Sequence, residues 1–104
     1  MDKINIILIE IYNKIAKQID INNYEIFLFG SRANNSSFKT SDIDIGILGN
    51  KALSKSTLNK IKDDIKKINT LYFIDIVDFF DASNDFKEIA LKQRKLLNEK
   101  GLKN

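Results

Sequence analysis

Apolar residues recur at helical spacing early in the chain and again after its midpoint. Within residues 2–19 they recur every three or four positions, which predicts an amphipathic helix with Asp2 as its N-cap. A second stripe follows Ser54 and Ser56, which are alternative N-caps for another helix. The first stripe consists of Ile4, Ile7, Leu8, Ile11 and Ile15, and the second of Leu58, Ile61, Ile65 and Ile68.

A last helix is predicted near the end of the chain. Asp85 with Glu88 three positions later has the spacing of a capping box, which favours a helix start there. Gly101 suits the end of that helix. Its apolar face is expected to consist of Phe86, Ile89, Ala90, Leu96 and Leu97.

Three shorter apolar runs are typical of β-strands. They are residues 24–29, 43–48 and 71–80, rich in isoleucine and phenylalanine. The order helix, strand, strand, helix, strand, helix predicts an α/β (α+β) fold, in which helices pack on a small mixed sheet of at least three strands. The loop 30–41 is too short for a full crossover helix, which favours a mixed sheet. Residues 1–104 are expected to form a single domain.

Two residue types that often carry chemistry are missing from the chain. It has no cysteine and no histidine. Their absence excludes disulfides, thiolate metal sites, histidine-based zinc sites and serine–histidine triads. Any acid–base or metal chemistry must therefore use carboxylates, lysine, tyrosine or bound water.

The charge balance is mildly basic. The formal net charge is +3 and the isoelectric point is about 9.1. This excess fits phosphate-bearing partners without requiring nucleic acid, and we predict no direct nucleic-acid binding. No apolar run of about 18 residues and no signal peptide is recognised, so we expect no membrane association and a cytoplasmic location.

Two acidic residues interrupt the second predicted strand. Asp42 and Asp44 are two positions apart, and side chains at that spacing share one face of a strand. At a separation of about 4 Å, two unit charges repel by roughly 4 kcal/mol at an effective dielectric constant of 20. A shared proton, a basic neighbour or a bound cation must relieve this repulsion. Magnesium is a natural cation here because it binds one or two carboxylates together with substrate phosphates.

A third carboxylate interrupts the third predicted strand. If that strand lies beside the second, Asp75 can reach Asp42 and Asp44. Three carboxylates around two metal ions are the usual arrangement for phosphoryl or nucleotidyl transfer. Asp78 is a rival for the third position, although in a regular strand it faces away from Asp75. Asp75 is favoured, and the choice stays open at the level of sequence.

A glycine-serine pair precedes the acidic residues. Gly30 allows a sharp turn and a close approach of the backbone to a ligand. Ser31 offers a hydroxyl and an N–H, and Arg32 can face a phosphate. If a helical turn begins here, its free N–H groups would make an anion site that suits a triphosphate.

Blander interpretations of the acidic pair are weaker. Asp42-x-Asp44 resembles the start of an EF-hand loop, but that loop needs a ligand at its fifth position and glycine at its sixth. The chain has Gly46 and Ile47 there. Asp42 could instead cap a turn while Asp44 pairs with a lysine, but neither role accounts for the nearby Gly-Ser pair and Asp75.

The stretch "GSRANNSSFKTSDIDIGIL" resembles the signature of the DNA polymerase beta-like nucleotidyltransferase superfamily. That signature has Gly-Ser, a spacer of about ten residues, and Asp-x-Asp. The length and the "FGSRA…SDIDI" pattern resemble the minimal nucleotidyltransferase (MNT) proteins, and the likeness runs from about Tyr24 to Phe80. The later "FIDIVDFFD" resembles the strand that carries the family's third aspartate.

The resemblance implies roles for individual residues. Asp42, Asp44 and Asp75 would be the catalytic and metal-binding carboxylates, holding two magnesium ions. ATP would be the substrate, and Asp75 would help to deprotonate the attacking hydroxyl. The nucleotide-binding residues would be Gly30, Ser31, Arg32 and Ser41.

The resemblance also implies a biological role. MNT proteins resemble the antitoxin halves of toxin–antitoxin pairs whose toxins are HEPN-domain ribonucleases. The chain would then transfer AMP from ATP to a tyrosine hydroxyl of such a toxin. Two alternatives stay open: transfer to a small molecule such as an aminoglycoside, and a non-catalytic antitoxin that masks its partner. A domain this small is short of surface for its acceptor, which favours assembly with another protein or as a homo-oligomer.

Overall fold

The computed structural model describes residues 3–30 and 42–98, which fold into helices packed on a mixed sheet. A short 3-10 turn, Phe79–Asp81, leads from the third strand towards the last helix. In chain order the helices and strands are α1 (Lys3–Ala16), β1 (Tyr24–Phe29), β2 (Ile43–Gly49), α2 (Lys55–Lys66), β3 (Ile74–Asp78), α3 (Asn84–Lys92) and β4 (Lys95–Leu96).

The described residues form a four-stranded sheet in the order β3-β2-β1-β4. Strand β1 pairs antiparallel with β2 and with β4, whereas β2 pairs parallel with β3. The predicted α/β fold with a mixed sheet is therefore confirmed, and β4 is an additional edge strand. No helix within the described ranges has the length and apolar character needed to cross a membrane.

One face of the sheet is covered by α1 and α2. The apolar stripes of both helices pack on every second residue of the central strands, as the periods of helix and strand require. Ser54 caps α2, because its hydroxyl accepts a hydrogen bond from the Thr57 N–H at 3.1 Å. The buried residues of this core are Leu8, Ile11, Ile15, Ile26, Leu28, Ile43, Ile45, Ile47, Ile61, Ile65, Ile68, Ile76 and Leu97.

The opposite face carries an aromatic cluster under α3. Phe27 and Phe29 of β1 make edge-to-face contacts with Phe79, at centroid distances of 5.1 and 5.0 Å. Gly46 of β2 makes room for these rings, because a Cβ there would lie 2.4 Å from the Phe27 ring and 2.7 Å from the Phe79 ring. Ala90 of α3 closes the cluster.

Two predicted boundaries differ in the first half of the chain. Helix α1 ends at Ala16, before the predicted end at residue 19. Asp20 organises the turn that follows, because its carboxylate accepts hydrogen bonds from the Asn22 N–H and the Asn23 amide, both at 3.0 Å. Asp2, the predicted cap, lies outside the described residues.

The predicted third strand is too long at both ends. Strand β3 spans Ile74–Asp78 rather than residues 71–80. Asp78 ends it, because its carboxylate accepts a hydrogen bond from the Phe80 N–H at 3.1 Å and so caps the 3-10 turn. At the other end, Leu71 is fully exposed and has no core to pack against.

The prediction for the last helix is wrong at its start and at its end, because the helix spans only Asn84–Lys92. Ser83, rather than Asp85, is the N-cap, and its hydroxyl accepts a hydrogen bond from the Phe86 N–H at 3.2 Å. After Lys92 the chain turns back to β1, where the Leu97 N–H donates to the Ile26 carbonyl at 2.7 Å.

The last helix therefore has a different apolar face from the one predicted. Leu96 belongs to β4 and Leu97 follows it, so neither is helical. Phe86 and Ile89 are exposed rather than buried, with Ile89 at 73% of its full exposure. Gly101, the predicted helix end, lies outside the described residues.

Candidate active site

Asp44 has a paired neighbour on each side in the sheet. It lies opposite Phe29 of β1 and beside Asp75 of β3. Adjacent strands are about 4.8 Å apart, and laterally paired residues point to the same face of a sheet. Asp44 and Asp75 therefore stand side by side, and Asp42, two positions before Asp44, is exposed at the entrance to β2.

Gly30 approaches this acidic group from the end of β1. Its φ angle is +79°, in the left-handed region that side chains other than glycine rarely adopt. A Cβ atom at this position would lie 2.6 Å from Oδ2 of Asp44. The glycine therefore satisfies two demands at once: the turn out of β1 and the close approach of the backbone to the Asp44 carboxylate.

The electrostatics of the site centre on Asp44. Its pKa is raised above the ordinary value, first by burial and then by the negative charges of Asp75 and Asp42. The charges of both neighbours therefore reach Asp44, and together with burial they make its ionisation costly. A bound cation would remove that cost.

The residues present fit magnesium in their chemistry. The set consists of carboxylate oxygens, which are the ligands that Mg²⁺ prefers. Within residues 3–30 and 42–98, no three acidic side chains stand close enough together to hold a metal ion as they are placed. Asp44 and Asp75 are nevertheless register neighbours on one face of the sheet, so rotation about their side-chain bonds changes the distance between their oxygens.

Asp78 is placed elsewhere and has a structural environment. It pairs with Ile47, whose side chain belongs to the aliphatic core, and so lies on the opposite side of the sheet from Asp75. Its carboxylate accepts hydrogen bonds from the Leu53 N–H at 2.8 Å and the Phe80 N–H at 3.1 Å. The structure thus brings Asp75, and not Asp78, to Asp44.

The aromatic support of the site was missed at the level of sequence. Phe29 is buried and lies directly opposite Asp44 on the same face. Its ring contacts Phe79 and Phe86, at centroid distances of 5.0 and 6.0 Å. The alternation of Phe27 and Phe29 in β1 was the available signal, since it puts two rings on the face that carries Asp44.

Three of the predicted nucleotide-binding residues lie outside the described residues. They are Ser31, Arg32 and Ser41. Gly30, the fourth, lies against Asp44 as described above.

The chain is similar to a protein that is named as an adenylyltransferase. The "Probable protein adenylyltransferase MntA" of Haemophilus influenzae is 28% identical over 90 residues, which cover 86% of this chain and 78% of that protein.

Solved toxin–antitoxin structures share the fold. One is a complex of an MNT antitoxin with a tri-AMPylated HEPN toxin of Shewanella oneidensis, with a TM-score of 0.65 at 23% identity over 92% of this chain and 71% of the other. The second is a toxin–antitoxin with AMP-PNP, with a TM-score of 0.63 at 24% identity over 86% of this chain and 70% of the other.

A family model described as "Polymerase beta, Nucleotidyltransferase" matches residues 9–101. The match covers all the described strands and the three aspartates, and it confirms the resemblance found in the sequence. The chain belongs to this nucleotidyltransferase family.

Proposed function

We propose that this chain is a magnesium-dependent adenylyltransferase that transfers AMP from ATP to a tyrosine hydroxyl of a HEPN-domain toxin and so acts as its antitoxin. One observation carries the proposal: Asp44 is flanked by Asp75 in the register of β2 and β3, with Gly30 against its carboxylate. The similarity to MntA of Haemophilus influenzae supports the choice of AMP and of a protein acceptor. The fold shared with a complex containing a tri-AMPylated HEPN toxin supports the choice of partner.

The acidic residues would have distinct roles. Asp42, Asp44 and Asp75 would hold magnesium, which when bound supplies positive charge to the triphosphate and to the developing negative charge of the transition state. Gly30 would admit the triphosphate close to the backbone, because it has no side chain to block the approach to Asp44. The buried Phe29 would keep Asp44 in place from the neighbouring strand.

The chemical step is a single displacement at the α-phosphorus of ATP. Asp75, at the outer side of Asp44, would accept the proton of the tyrosine hydroxyl. The phenolic oxygen would form a bond to the α-phosphorus while the bond from that phosphorus to the bridging oxygen breaks. AMP would then be attached to the tyrosine, and pyrophosphate would leave with the electron pair.

Transfer of label from α-labelled ATP tests the proposal. The purified chain would be incubated with magnesium, labelled ATP and a purified HEPN-domain protein. We expect label on the HEPN protein, lost when its acceptor tyrosine is replaced by phenylalanine. Asp44→Asn should abolish the transfer, whereas Asp63→Asn, which removes the same charge from an exposed position on α2, should not.

Each contrary result identifies an alternative. A HEPN protein that is bound and silenced without becoming labelled would make the chain a masking antitoxin. Label found only on a small molecule would favour the aminoglycoside-type activity. Normal labelling by Asp44→Asn would refute the assignment of the acidic site.

A further inference from the structure

A cleft opens beside the candidate active site, between α2 and the outer edge of β3. Its volume is about 310 Å³, and its lining includes Asp75 together with Lys62, Lys66 and Phe73. The cleft therefore includes the proposed catalytic group Asp75, whereas Asp42 and Asp44 are not among its lining residues. A pocket in this position has access to whatever Asp75 acts on.

The floor of the cleft is a strand edge. Strand β3 is the last strand of the described sheet on this side. The Ile43 N–H donates to the Phe73 carbonyl at 2.9 Å, so Phe73, and by alternation Asp75, directs its backbone groups towards β2. Ile74 and Ile76 then direct their N–H and C=O groups outward. Within residues 3–30 and 42–98, no strand pairs with these groups.

The side chains around this edge are sorted by face. Phe73 and Asp75 are two positions apart and share one face, on which Phe73 keeps 66% of its full exposure. Lys62 and Lys66 project from α2, which covers the other face. Their spacing of four residues puts them one helical turn apart on the same side of the helix. Both lysines are exposed, and neither forms an ion pair with another described residue.

We propose that the acceptor segment binds here as an added strand beside β3, with its tyrosine over Phe73 and Asp75 and acidic residues at the positions directly before and after it. The proposal rests on the proposed function and names the kind of substrate that the same site accepts. An extended segment would pair with the outward groups of Ile74 and Ile76. Because strand side chains alternate, a tyrosine on the Asp75 face puts its two neighbours on the face of Lys62 and Lys66.

Charge decides where the acidic residues must stand. Carboxylates on the same face as the tyrosine would meet Asp75, Asp44 and Asp42, and like charges directly opposite one another destabilise a strand pair. Carboxylates on the other face would meet Lys62 and Lys66. The aromatic ring of the tyrosine would pack on the exposed Phe73 as a cross-strand pair.

Two peptides of equal composition test the register. The first carries glutamate directly before and after a central tyrosine, and the second carries the same glutamates two positions away. Titrated into ¹⁵N-labelled protein, the first peptide should bind several-fold more tightly. On binding it should slow the hydrogen exchange of the Ile74 and Ile76 amides, while those of Asp75 and Val77, already directed towards β2, should change little.

Matched charge variants test the lysines. The double variant Lys62→Glu and Lys66→Glu should weaken binding of the first peptide by about five- to tenfold, as expected for two partly exposed ion pairs. The control Lys55→Glu and Lys60→Glu makes the same charge change on α2 at positions that do not line the cleft. It should change binding by less than about twofold.

The outcomes separate this inference from the proposed function. If the first peptide protects Ile74 and Ile76 but no AMP is ever transferred, the docking surface stands and the proposed function fails. If AMP is transferred while these amides stay unprotected, or while both peptides bind equally, the docking inference is overturned alone. It is also overturned if neither peptide binds, or if Phe73→Ala raises the KM for ATP and leaves peptide binding unchanged, since the cleft would then hold the nucleobase.

Discussion

Successive residues of strand β2 alternate between its two faces, and the two faces differ in function. Ile43, Ile45 and Ile47 point to α1 and α2, and all three are completely buried. The Asp44 side chain lies on the other face. Gly46 lies on that face as well, where its missing side chain leaves room for aromatic rings. One strand of seven residues therefore supplies both the centre of the core and the centre of the candidate site.

The difference shows how a small domain holds charges without a large core around them. The aliphatic face fixes the height and register of β2, so Asp44 cannot move away from Asp75 without moving three buried isoleucines. Like charges are thus held side by side by packing on the far side of the same backbone. The site is costly to ionise, and the aliphatic core provides the stability that offsets this cost.

The largest predicted effect is the contrast between two aspartates of β3. Asp75→Asn should lower AMP transfer by about 10³-fold, equivalent to about 4 kcal/mol in activation free energy, without lowering the unfolding free energy, because it removes a charge that repels Asp44. Asp78→Asn should have the reverse profile, because it weakens hydrogen bonds from Leu53 and Phe80 and should cost about 1–3 kcal/mol of stability. Transfer rates and denaturant melts measured on both variants give the comparison.

Reversal of this contrast would move the third carboxylate to Asp78. It would also mean that the register of β2 and β3 has no bearing on the chemistry. The control is the double variant, whose losses in activity and in stability should each equal those of the corresponding single variant.

A second prediction concerns the neighbour of Asp44 on the other face. Ile45→Ala should lower the unfolding free energy by about 2–5 kcal/mol, because it leaves a cavity in the centre of the aliphatic core. Transfer per folded molecule should stay close to that of the wild type, since the side chain points away from the site. Denaturant melts, with activity normalised to the folded fraction, measure both quantities. A loss of activity far beyond the loss of folded protein would show that the two faces are not independent.

Much of the fold followed from periodicity alone. Alternation in β2 put the isoleucines on one face and the aspartates on the other, and the stripes in α1 and α2 identified their buried sides. The end of the chain was mispredicted because local signals there favour a longer helix. What ends α3 is the long-range pairing of residues 95–97 with β1, together with Asn98, whose side chain accepts from the Ile26 N–H at 2.7 Å.

The sequence singled out the acidic residues of the candidate site, whose roles stay a prediction, but it did not reveal their surroundings. The signal was the presence of charged residues within or beside apolar runs, namely Asp42, Asp44 and Asp75. The contact of Gly30 with Asp44 and the position of Phe29 beside it depend on the pairing of β1 with β2, which spacing does not fix. The choice between Asp75 and Asp78 likewise needed the parallel register, because both are acidic residues in the same run.

A third, smaller effect is predicted for Gly30. Gly30→Ala places a side chain at a positive φ angle, at a cost of about 1–2 kcal/mol, and pushes its Cβ against Oδ2 of Asp44. We expect the Asp44 carboxylate to rotate away, with weaker magnesium-dependent stabilisation by a non-hydrolysable ATP analogue in thermal melts. Gly49→Ala is the matched control at the other end of β2, where a Cβ would press on Tyr24 and not on the acidic residues. Equal losses of analogue binding in both variants would contradict a specific role for Gly30.

The smallest predicted effect is a dependence of stability on pH that arises from Asp44, on the face of the sheet that carries the acidic residues. Because the pKa of Asp44 is raised in the folded protein, the folded state holds the Asp44 proton more firmly than the unfolded chain does. Below the ordinary value of 3.8 the group is neutral in both states. As the pH rises through the higher pKa of the folded state, Asp44 ionises in a place that disfavours its charge, and the folded protein loses stability.

Asp44→Asn removes this loss, because an amide of the same shape cannot ionise. Without magnesium, the variant should therefore melt at a higher temperature than the wild type at neutral pH, and the difference should shrink to nothing as the pH falls below about 3.8. Asp63→Asn changes the net charge equally at an exposed position of α2, so its melting temperature should follow the wild type throughout. Magnesium with the ATP analogue should reverse the order, since binding stabilises only the wild type by mass action. A variant that is less stable than the wild type at neutral pH without magnesium would mean that Asp44 is held by favourable contacts rather than by the packing of the opposite face.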